Sequence, residues 1–236
     1  QTMTDLIISL HIPKTAGSTF KSILSKVYGS KYLEIHNTHT VEEVGEIFRL
    51  MRMDNYDCVH GHFPYGVHKY LPETVTYKYI TFLRDPLERL ISMWNFNTVS
   101  VDGTPQEKVR DINKFIEWTH QYPTATVDNG ITRIIEGSKE VFFTDTTSTI
   151  SQDDYEIAKE NLKSFFFVGT SETFTKDLLE LASKLHWGKI PEYVDIYRLP
   201  GRLTSKDLSN SNRRVFQKKL MFDFLLWNQI KQSKRK

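Results

Sequence analysis

The chain of 236 residues has a single cysteine, Cys58, and lacks any long apolar run. One cysteine excludes an intramolecular disulfide and leaves no cysteine cluster for zinc. No segment approaches the roughly 18 consecutive apolar residues of a membrane-spanning helix. The sequence also begins without the basic and then apolar layout of a signal peptide, and it has no Asn-x-Ser/Thr acceptor for glycosylation. These absences predict a protein without a membrane span, in a reducing compartment.

Neither positively nor negatively charged residues are in clear excess. Lys and Arg total 31, Asp and Glu total 29, and the formal net charge is +2. The chain therefore lacks the excess of positive charge whose electrostatic field would attract nucleic acid or an anionic membrane. Any anion must be bound by a local cluster of residues. Hydrophobic residues make up 39% of the chain, enough for one core, so we expect residues 1–236 to form a single domain.

The chain does contain alternating strand-like and helix-like segments. Segment 6–12 is a nearly continuous apolar run, too short for a typical helix, and predicts a strand buried on both faces. Further strands are predicted near Cys58, at 79–83 and at 165–168. Apolar residues at helical spacing predict helices, whose apolar sets begin at Phe20, Val44, Leu90, Phe174 and Phe216.

Strands that alternate with helices are typical of an α/β fold. We expect a mostly parallel central sheet flanked by helices, and ligands of such sheets bind at the carboxyl ends of the strands. The polar segment 98–108, which contains Gly103 and Pro105, predicts a mobile surface loop beside that cleft.

Segment 12–20, Ile-Pro-Lys-Thr-Ala-Gly-Ser-Thr-Phe, turns the first strand into the first helix. Unpaired amides at a helix N-terminus carry about half a positive charge, Gly17 lets the backbone approach a ligand, and Lys14 adds a full charge. The segment predicts an anion site; a capped helix beside a solvated lysine is the alternative. Because Lys14 precedes the glycine, the order differs from G-x-x-x-x-G-K-[ST], which argues against magnesium-dependent ATP chemistry.

The sequence Pro13–Thr19 resembles the 5′-phosphosulfate loop of sulfotransferases that use 3′-phosphoadenosine-5′-phosphosulfate (PAPS). This resemblance implies a P-loop-like sulfotransferase fold, PAPS as the donor, and no need for a metal. The loop residues that it implies for donor binding are Lys14, Thr15, Ala16, Gly17, Ser18 and Thr19.

Segment 82–92, Phe-Leu-Arg-Asp-Pro-Leu-Glu-Arg-Leu-Ile-Ser, resembles the 3′-phosphate-binding segment of the same family. By motif position the phosphate contacts are Arg84 and Ser92. A guanidinium group gives phosphate a two-pronged donor, and a serine hydroxyl adds another hydrogen bond. The alternative is a structural pairing of Arg84 with Asp85 or Glu88 at the start of a helix.

Segment 59–66, Val-His-Gly-His-Phe-Pro-Tyr-Gly, resembles carbohydrate sulfotransferases of the heparan 2-O and 6-O type. The match places the catalytic base at His62, with His60 as an assisting or orienting neighbour. Histidine suits this task because its ordinary pKa of about 6.5 leaves much of it neutral near pH 7. A structural turn or a metal-binding pair is the alternative. For His11, at the end of a buried strand, we expect structural hydrogen bonding.

Segment 128–133, Asp-Asn-Gly-Ile-Thr-Arg, resembles a family segment near the acceptor cleft, which implies that Asn129 and Arg133 contact the substrate. Arg133 would meet a uronate or sulfate group, and the alternative is a structural ion pair. Segment 168–174 resembles the turn that follows the nucleotide site, for which we expect a structural role.

Together these segments predict in-line transfer of a sulfuryl group from PAPS to a carbohydrate hydroxyl group. His62 would remove the acceptor proton, and Lys14 would stabilise charge on the leaving oxygen. Alternative acceptors are a small alcohol or phenol and a protein tyrosine; less favoured classes are a nucleotide kinase and a non-catalytic polyanion-binding module. We expect a soluble cytoplasmic protein of bacterial type, or alternatively a Golgi-lumenal catalytic domain without its anchor.

Overall fold

A sheet of five parallel strands forms the centre of the molecule, in the order β2-β3-β1-β4-β5. The computed structural model describes residues 4–36, 40–98, 111–142, 144–194 and 202–234. The predicted loop at 98–108 lies, apart from its first residue, outside these described residues. The strands are β1 (Thr4–Leu10), β2 (Tyr32–Ile35), β3 (Cys58–Gly61), β4 (Val75–Leu83) and β5 (Phe167–Thr170).

Helices cover both faces of this sheet. None of those in the described part of the chain is both long and apolar enough to cross a membrane. They are α1 (Gly17–Tyr28), α2 (Val41–Leu50), α3 (Pro86–Asn97), α4 (Ile112–Gln121), α5 (Thr124–Val127), α6 (Gly130–Glu136), α7 (Gln152–Lys163), α8 (Phe174–Lys184), α9 (Asn210–Lys219) and α10 (Met221–Ser233).

Strand β1 is central and is buried on both faces, as its apolar run predicts. Leu6, Ile8 and Leu10 point into one core, whereas Ile7 points into a second core on the opposite face. This alternation follows from the two-residue period of a strand. The two cores give the α/β sandwich expected from the sequence.

The strand order places the candidate motifs next to one another. The chain leaves β1 for β2 and β3 on one side and then crosses to β4 and β5 on the other. The carboxyl end of β1 is therefore a topological switch point, where the loops after β1, β3 and β4 meet. Segments 12–20, 60–62 and 84–92 lie at or directly after the carboxyl ends of these three strands.

The closing helix predicted over 216–230 is in fact two helices, which meet at Leu220. The apolar period continues through the break, so the pattern alone gives no sign of it. The break is stabilised by Asn129, whose Oδ1 accepts hydrogen bonds from the N–H groups of Phe222 and Asp223 at 3.1 and 3.2 Å. A distant side chain thus satisfies the amides that a new helix N-terminus exposes.

The approach of β2 to β3 requires glycine at position 61. A Cβ atom on Gly61 would lie 2.0 Å from the carbonyl oxygen of Ile35. We expect Gly61→Ala to lower the free energy of unfolding by about 1–3 kcal/mol, because the two strands must separate to admit the methyl group. Urea denaturation measures this change.

Gly188→Ala is the matched control, since a Cβ atom there meets nothing within 4 Å. Its effect should stay within about 0.5 kcal/mol. Equal stability of the two variants would contradict the close approach of β2 at Gly61.

Candidate active site

The loop between β1 and α1 has the backbone of an anion site. Lys14 and Ala16 both have a φ of 69°, in the left-handed region. Turns of this kind direct successive N–H groups to one side and form an anion-binding concavity. Ala16 is the N-cap of α1, no side chain caps this helix, and its first turn has no acidic residue. The first amides of α1 and the partial charge that they carry are therefore presented by the loop.

The packing of the loop explains its glycine. A Cβ atom on Gly17 would lie 1.6 Å from Nε2 of His11, so the histidine ring packs directly against the glycine backbone. The side chain of Thr15 is buried and donates to the carbonyl of Ile12 at 2.7 Å. Its hydroxyl group therefore stabilises the loop, whereas the side chains of Ser18 and Thr19 line the cleft.

A cleft of about 870 Å³ opens above the loop. Its walls combine the predicted motif residues with segments that the motifs do not cover. The predicted residues along the cleft are Lys14, Ala16, Gly17, Ser18, Thr19, His62, Arg84 and Ser92.

Arg84 is directed at the loop by its surroundings. Its Nη1 donates to the carbonyl oxygen of Lys14 at 3.1 Å. The carboxylate of Asp85 accepts from the N–H groups of Leu87 and Glu88 and so caps α3. Because Asp85 is engaged in capping, the sequence Arg-Asp-Pro delivers an arginine to the cleft while starting a helix. Ser92 lies two turns along that helix, on the same cleft.

A third cation at this site is Arg202, which belongs to none of the sequence motifs. It lines the cleft, and its Nε is buried without a hydrogen-bond partner among the described residues. Burial, followed by the charges of Arg84 and Arg202, lowers the pKa of Lys14 to about 8. A buried N–H group beside two other cations is a feature that an anionic ligand would satisfy.

His62 lines the cleft and has a defined tautomer. Its Nδ1 lies 3.0 Å from the carbonyl oxygen of His11. A carbonyl oxygen only accepts, so Nδ1 carries the proton and the lone pair of the neutral ring is on Nε2. Burial lowers the pKa of His62. A neutral ring with its lone pair on Nε2 is the form that a general base requires.

His60 lies below this position, outside the cleft. It is 1% exposed, its Nδ1 is 2.8 Å from Oγ of Ser9, and burial lowers its pKa to about 3. The ring of His11 joins the pair, since its centroid lies 5.0 Å from that of His60 and 4.1 Å from that of His62. His60 is thus placed to support the stack and does not line the cleft. No group of three or more His, Cys, Asp or Glu residues in the described segments could hold a metal ion.

Two residues expected at the acceptor cleft lie in the interior instead. Arg133 is 0% exposed, and its Nη2 donates to Asp128 at 2.7 Å and to the carbonyl of Ser148 at 2.5 Å. Asn129 is 4% exposed and caps α10 through Phe222. Neither residue lines the cleft. The expectation that Asn129 and Arg133 contact the substrate is therefore corrected, because both side chains are buried and have no surface for an acceptor.

The turn after β5 is part of the cleft as well as of the scaffold. Ser171 donates to the carbonyl of Leu83 at 3.2 Å, and Glu172 accepts from the N–H group of Asp85 at 2.7 Å. Residues 171–176 line the cleft, as do the rings of Phe174 and Tyr193, whose centroids are 6.0 Å apart. The sequence predicts the turn but not its place at the site.

The buried histidines predict a loss of stability in acid. In the unfolded chain His60 takes up a proton below about pH 6.5, whereas in the folded chain its pKa is about 3. Between these values the unfolded state holds more protons. The free energy of unfolding therefore falls as the pH falls, by about 1.4 kcal/mol per pH unit for this residue. Urea denaturation at a series of pH values measures the slope.

His60→Gln should flatten this slope, because glutamine does not titrate. His120→Gln is the matched control, on the exposed face of α4, and should keep the slope of the unchanged protein. A slope in His60→Gln equal to that of the control would show that His60 is not the titrating group.

Comparison with known proteins places this site in a family. The family model described as the sulfotransferase family matches residues 2–231. A search of curated proteins gives no significant match. The crystal structure of mouse sulfotransferase SULT7A1 complexed with PAP has a TM-score of 0.42 and 15% identity, over 93% of this chain and 65% of that one. The chain thus spans about two thirds of the length of that protein.

Retinol dehydratase, in a complex with retinol and PAP, has a TM-score of 0.40 and 11% identity, over 94% of this chain and 82% of that one. The family model covers nearly the whole sequence, including the donor-loop, histidine and arginine segments. The chain belongs to the sulfotransferase family.

Proposed function

We propose that this chain is a PAPS-dependent O-sulfotransferase that acts on a carbohydrate hydroxyl group. The observation that carries the proposal is the presence of two sets of anion-binding groups in one cleft. The first set is the helix N-terminus with Lys14, and the second is Arg84 with Ser92. An adenosine that carries anionic groups at both its 5′ and 3′ positions needs both sets.

The residues present fit this donor. The amides and hydroxyl groups of segment 17–19 and the amine of Lys14 would hold the 5′-phosphosulfate, and Arg84 with Ser92 would hold the 3′-phosphate. Arg202 brings a further guanidinium group to the same cleft. The rings of Phe174 and Tyr193, which pack edge to face at the cleft, would offer the adenine base an apolar wall. When bound, PAPS supplies an activated sulfuryl group.

His62 is the proposed general base. Its Nε2 would remove the proton of the acceptor hydroxyl group as that oxygen attacks sulfur. Lys14 and the amides of α1 would stabilise the negative charge that develops on the oxygen leaving with the 5′-phosphate. No covalent enzyme intermediate is involved, and the rate gain comes from positioning and from preorganised positive charge.

A carbohydrate acceptor is favoured by the His60-Gly61-His62 segment. Two aromatic residues of the kind that stacks on sugar rings are engaged elsewhere: Trp94 is 6% exposed, and Tyr65 packs against Tyr79. The carbohydrate assignment therefore rests on the histidine segment. A small alcohol, a phenol or a protein tyrosine remains the second acceptor class.

Donor binding is tested with the product 3′-phosphoadenosine-5′-phosphate (PAP) by isothermal titration calorimetry. Arg84→Ala should weaken PAP binding by roughly 10-fold to 100-fold, because hydrogen bonds to a charged group are lost. The same variant should weaken the binding of adenosine 5′-phosphate less, since that ligand lacks the 3′-phosphate and is affected only through the contact of Arg84 with the Lys14 carbonyl.

Arg214→Ala is the matched control on the exposed surface of α9 and should bind PAP normally. Two results would contradict the donor assignment: equal affinity for PAP and adenosine 5′-phosphate, or tighter binding of ATP with magnesium than of PAP. The second result would favour a nucleotide kinase.

His62→Ala should reduce turnover by about 100-fold to 10,000-fold while PAP binding is kept, because proton removal is lost and the donor site is intact. Release of PAP from PAPS is measured with desulfated heparan, 4-nitrophenol and a tyrosine peptide as acceptors. His120→Ala serves as the control. Near-normal turnover in His62→Ala would identify another group as the base, and turnover restricted to the phenol or peptide would overturn the carbohydrate assignment.

A further inference from the structure

The amine of Lys14 lies against the face of an aromatic ring. Its Nζ is 4.2 Å from the centroid of the Phe96 ring. Phe96 belongs to α3, one turn after Ser92, and both residues line the cleft. Residues four apart share one face of a helix, so α3 presents a hydroxyl group and then a phenyl ring to the same space.

Core packing does not account for the position of Phe96. The residue is 53% exposed, whereas its neighbours Met93 and Trp94 are 2% and 6% exposed. A ring that is half in solvent contributes little through burial. Its contact with Lys14 therefore needs a different explanation.

That explanation is electrostatic. Arg84 and Arg202 lie near Lys14 and repel its ammonium group. The face of an aromatic ring carries partial negative charge and attracts a cation. Phe96 therefore opposes the effect of the two arginines through a neutral ring, which does not compete with an anionic ligand.

Contacts of both the backbone and the side chain hold Lys14 in place. Its backbone carbonyl accepts from Arg84, and its ammonium group rests on Phe96. The left-handed φ of 69° sets the direction in which the side chain leaves the loop. Together these contacts fix where the charge sits in the cleft.

We propose that Phe96 is a positioning residue, whose ring holds the ammonium group of Lys14 where the reacting bond of the donor lies. The inference rests on the proposed function, in which Lys14 stabilises the leaving oxygen. It adds an aromatic residue that no donor motif includes. The other ionisable groups on the cleft are His11, His62, Arg84, Glu88, Glu172, Lys176, Tyr193 and Arg202.

The contact is tested first in the free protein. Nuclear magnetic resonance of ¹³Cε-labelled lysine follows the titration of Lys14, whose signal is assigned by its loss in Lys14→Arg. Phe96→Leu should lower the pKa of Lys14 by about half a pH unit, because the cation–π attraction is removed and an apolar side chain is kept. Phe96→Tyr, which keeps the ring, should preserve the pKa.

A control variant and the pH dependence of PAP binding complete the test. Leu50→Ala alters an exposed apolar residue of α2 and should leave the Lys14 titration unchanged. PAP affinity should fall above the pKa of Lys14, and this fall should begin at lower pH in Phe96→Leu and be absent in Lys14→Met.

The outcomes separate the two proposals. An unchanged Lys14 titration in Phe96→Leu overturns the positioning role, whatever PAP does. A shifted titration in a protein that does not bind PAP would instead overturn the proposed donor. If Phe96→Leu and Phe96→Tyr shift the titration equally, the effect is one of packing and the role of the ring is contradicted.

Discussion

Mutual repulsion among Lys14, Arg84 and Arg202 is the constraint on which the arrangement of the cleft depends. Three cations beside a positive helix end are costly unless each is held separately. Arg84 donates to a backbone carbonyl, and the amine of Lys14 lies on a phenyl ring. The nearby carboxylates of Glu88, Glu172 and Asp85 also favour the charged form of Arg84. Carboxylates near the site accept from backbone amides, as Asp85 and Glu172 do. The positive charge is thus preserved for a ligand, whose binding would relieve the repulsion and stabilise the fold.

The secondary-structure elements that have a clear local pattern of apolar residues were predictable from the sequence. The buried apolar run before segment 12–20 predicts β1, and Gly29, whose φ of 53° lies in the left-handed region, ends α1 as glycine commonly does. Strand β2 was missed because its four residues are mostly half-buried and show no clear alternation. The first half of β4 was missed for a related reason, since Thr76 and Lys78 are only partly buried at that end of the strand.

Some residues of the candidate site were likewise predictable from local sequence, and others were not. Lys14 and His62 line the cleft because each follows a strand, and Ser92 does so because it lies two turns into α3; all three belong to recognisable motifs. Arg202 could not be found so, since tertiary packing alone brings it to the cleft, whereas Phe96 lies one helical turn after Ser92 and reaches the cleft by that spacing. Segment 128–133 shows the converse: a family-like sequence whose arginine and asparagine are consumed by interior hydrogen bonds. Side-chain identity suggests chemistry, but burial decides whether a ligand can reach it.

The position of β1 at the centre of the sheet also bears on the order of folding. Its partners come much later in the chain: the hydrogen bond from Thr81 to the carbonyl of Leu10 spans 71 residues, and that between His62 and His11 spans 51. Closing such long loops costs entropy before any strand pairing offsets it, so sheets of this kind assemble more slowly than local helical structure. The loop after β1 contacts His62, which follows β3, and Arg84, which follows β4, so we expect this loop to become ordered only when β3 and β4 have joined β1. A partly folded chain would then lack the anion-binding cleft, and a ligand would act on its folding only after the central strands have paired.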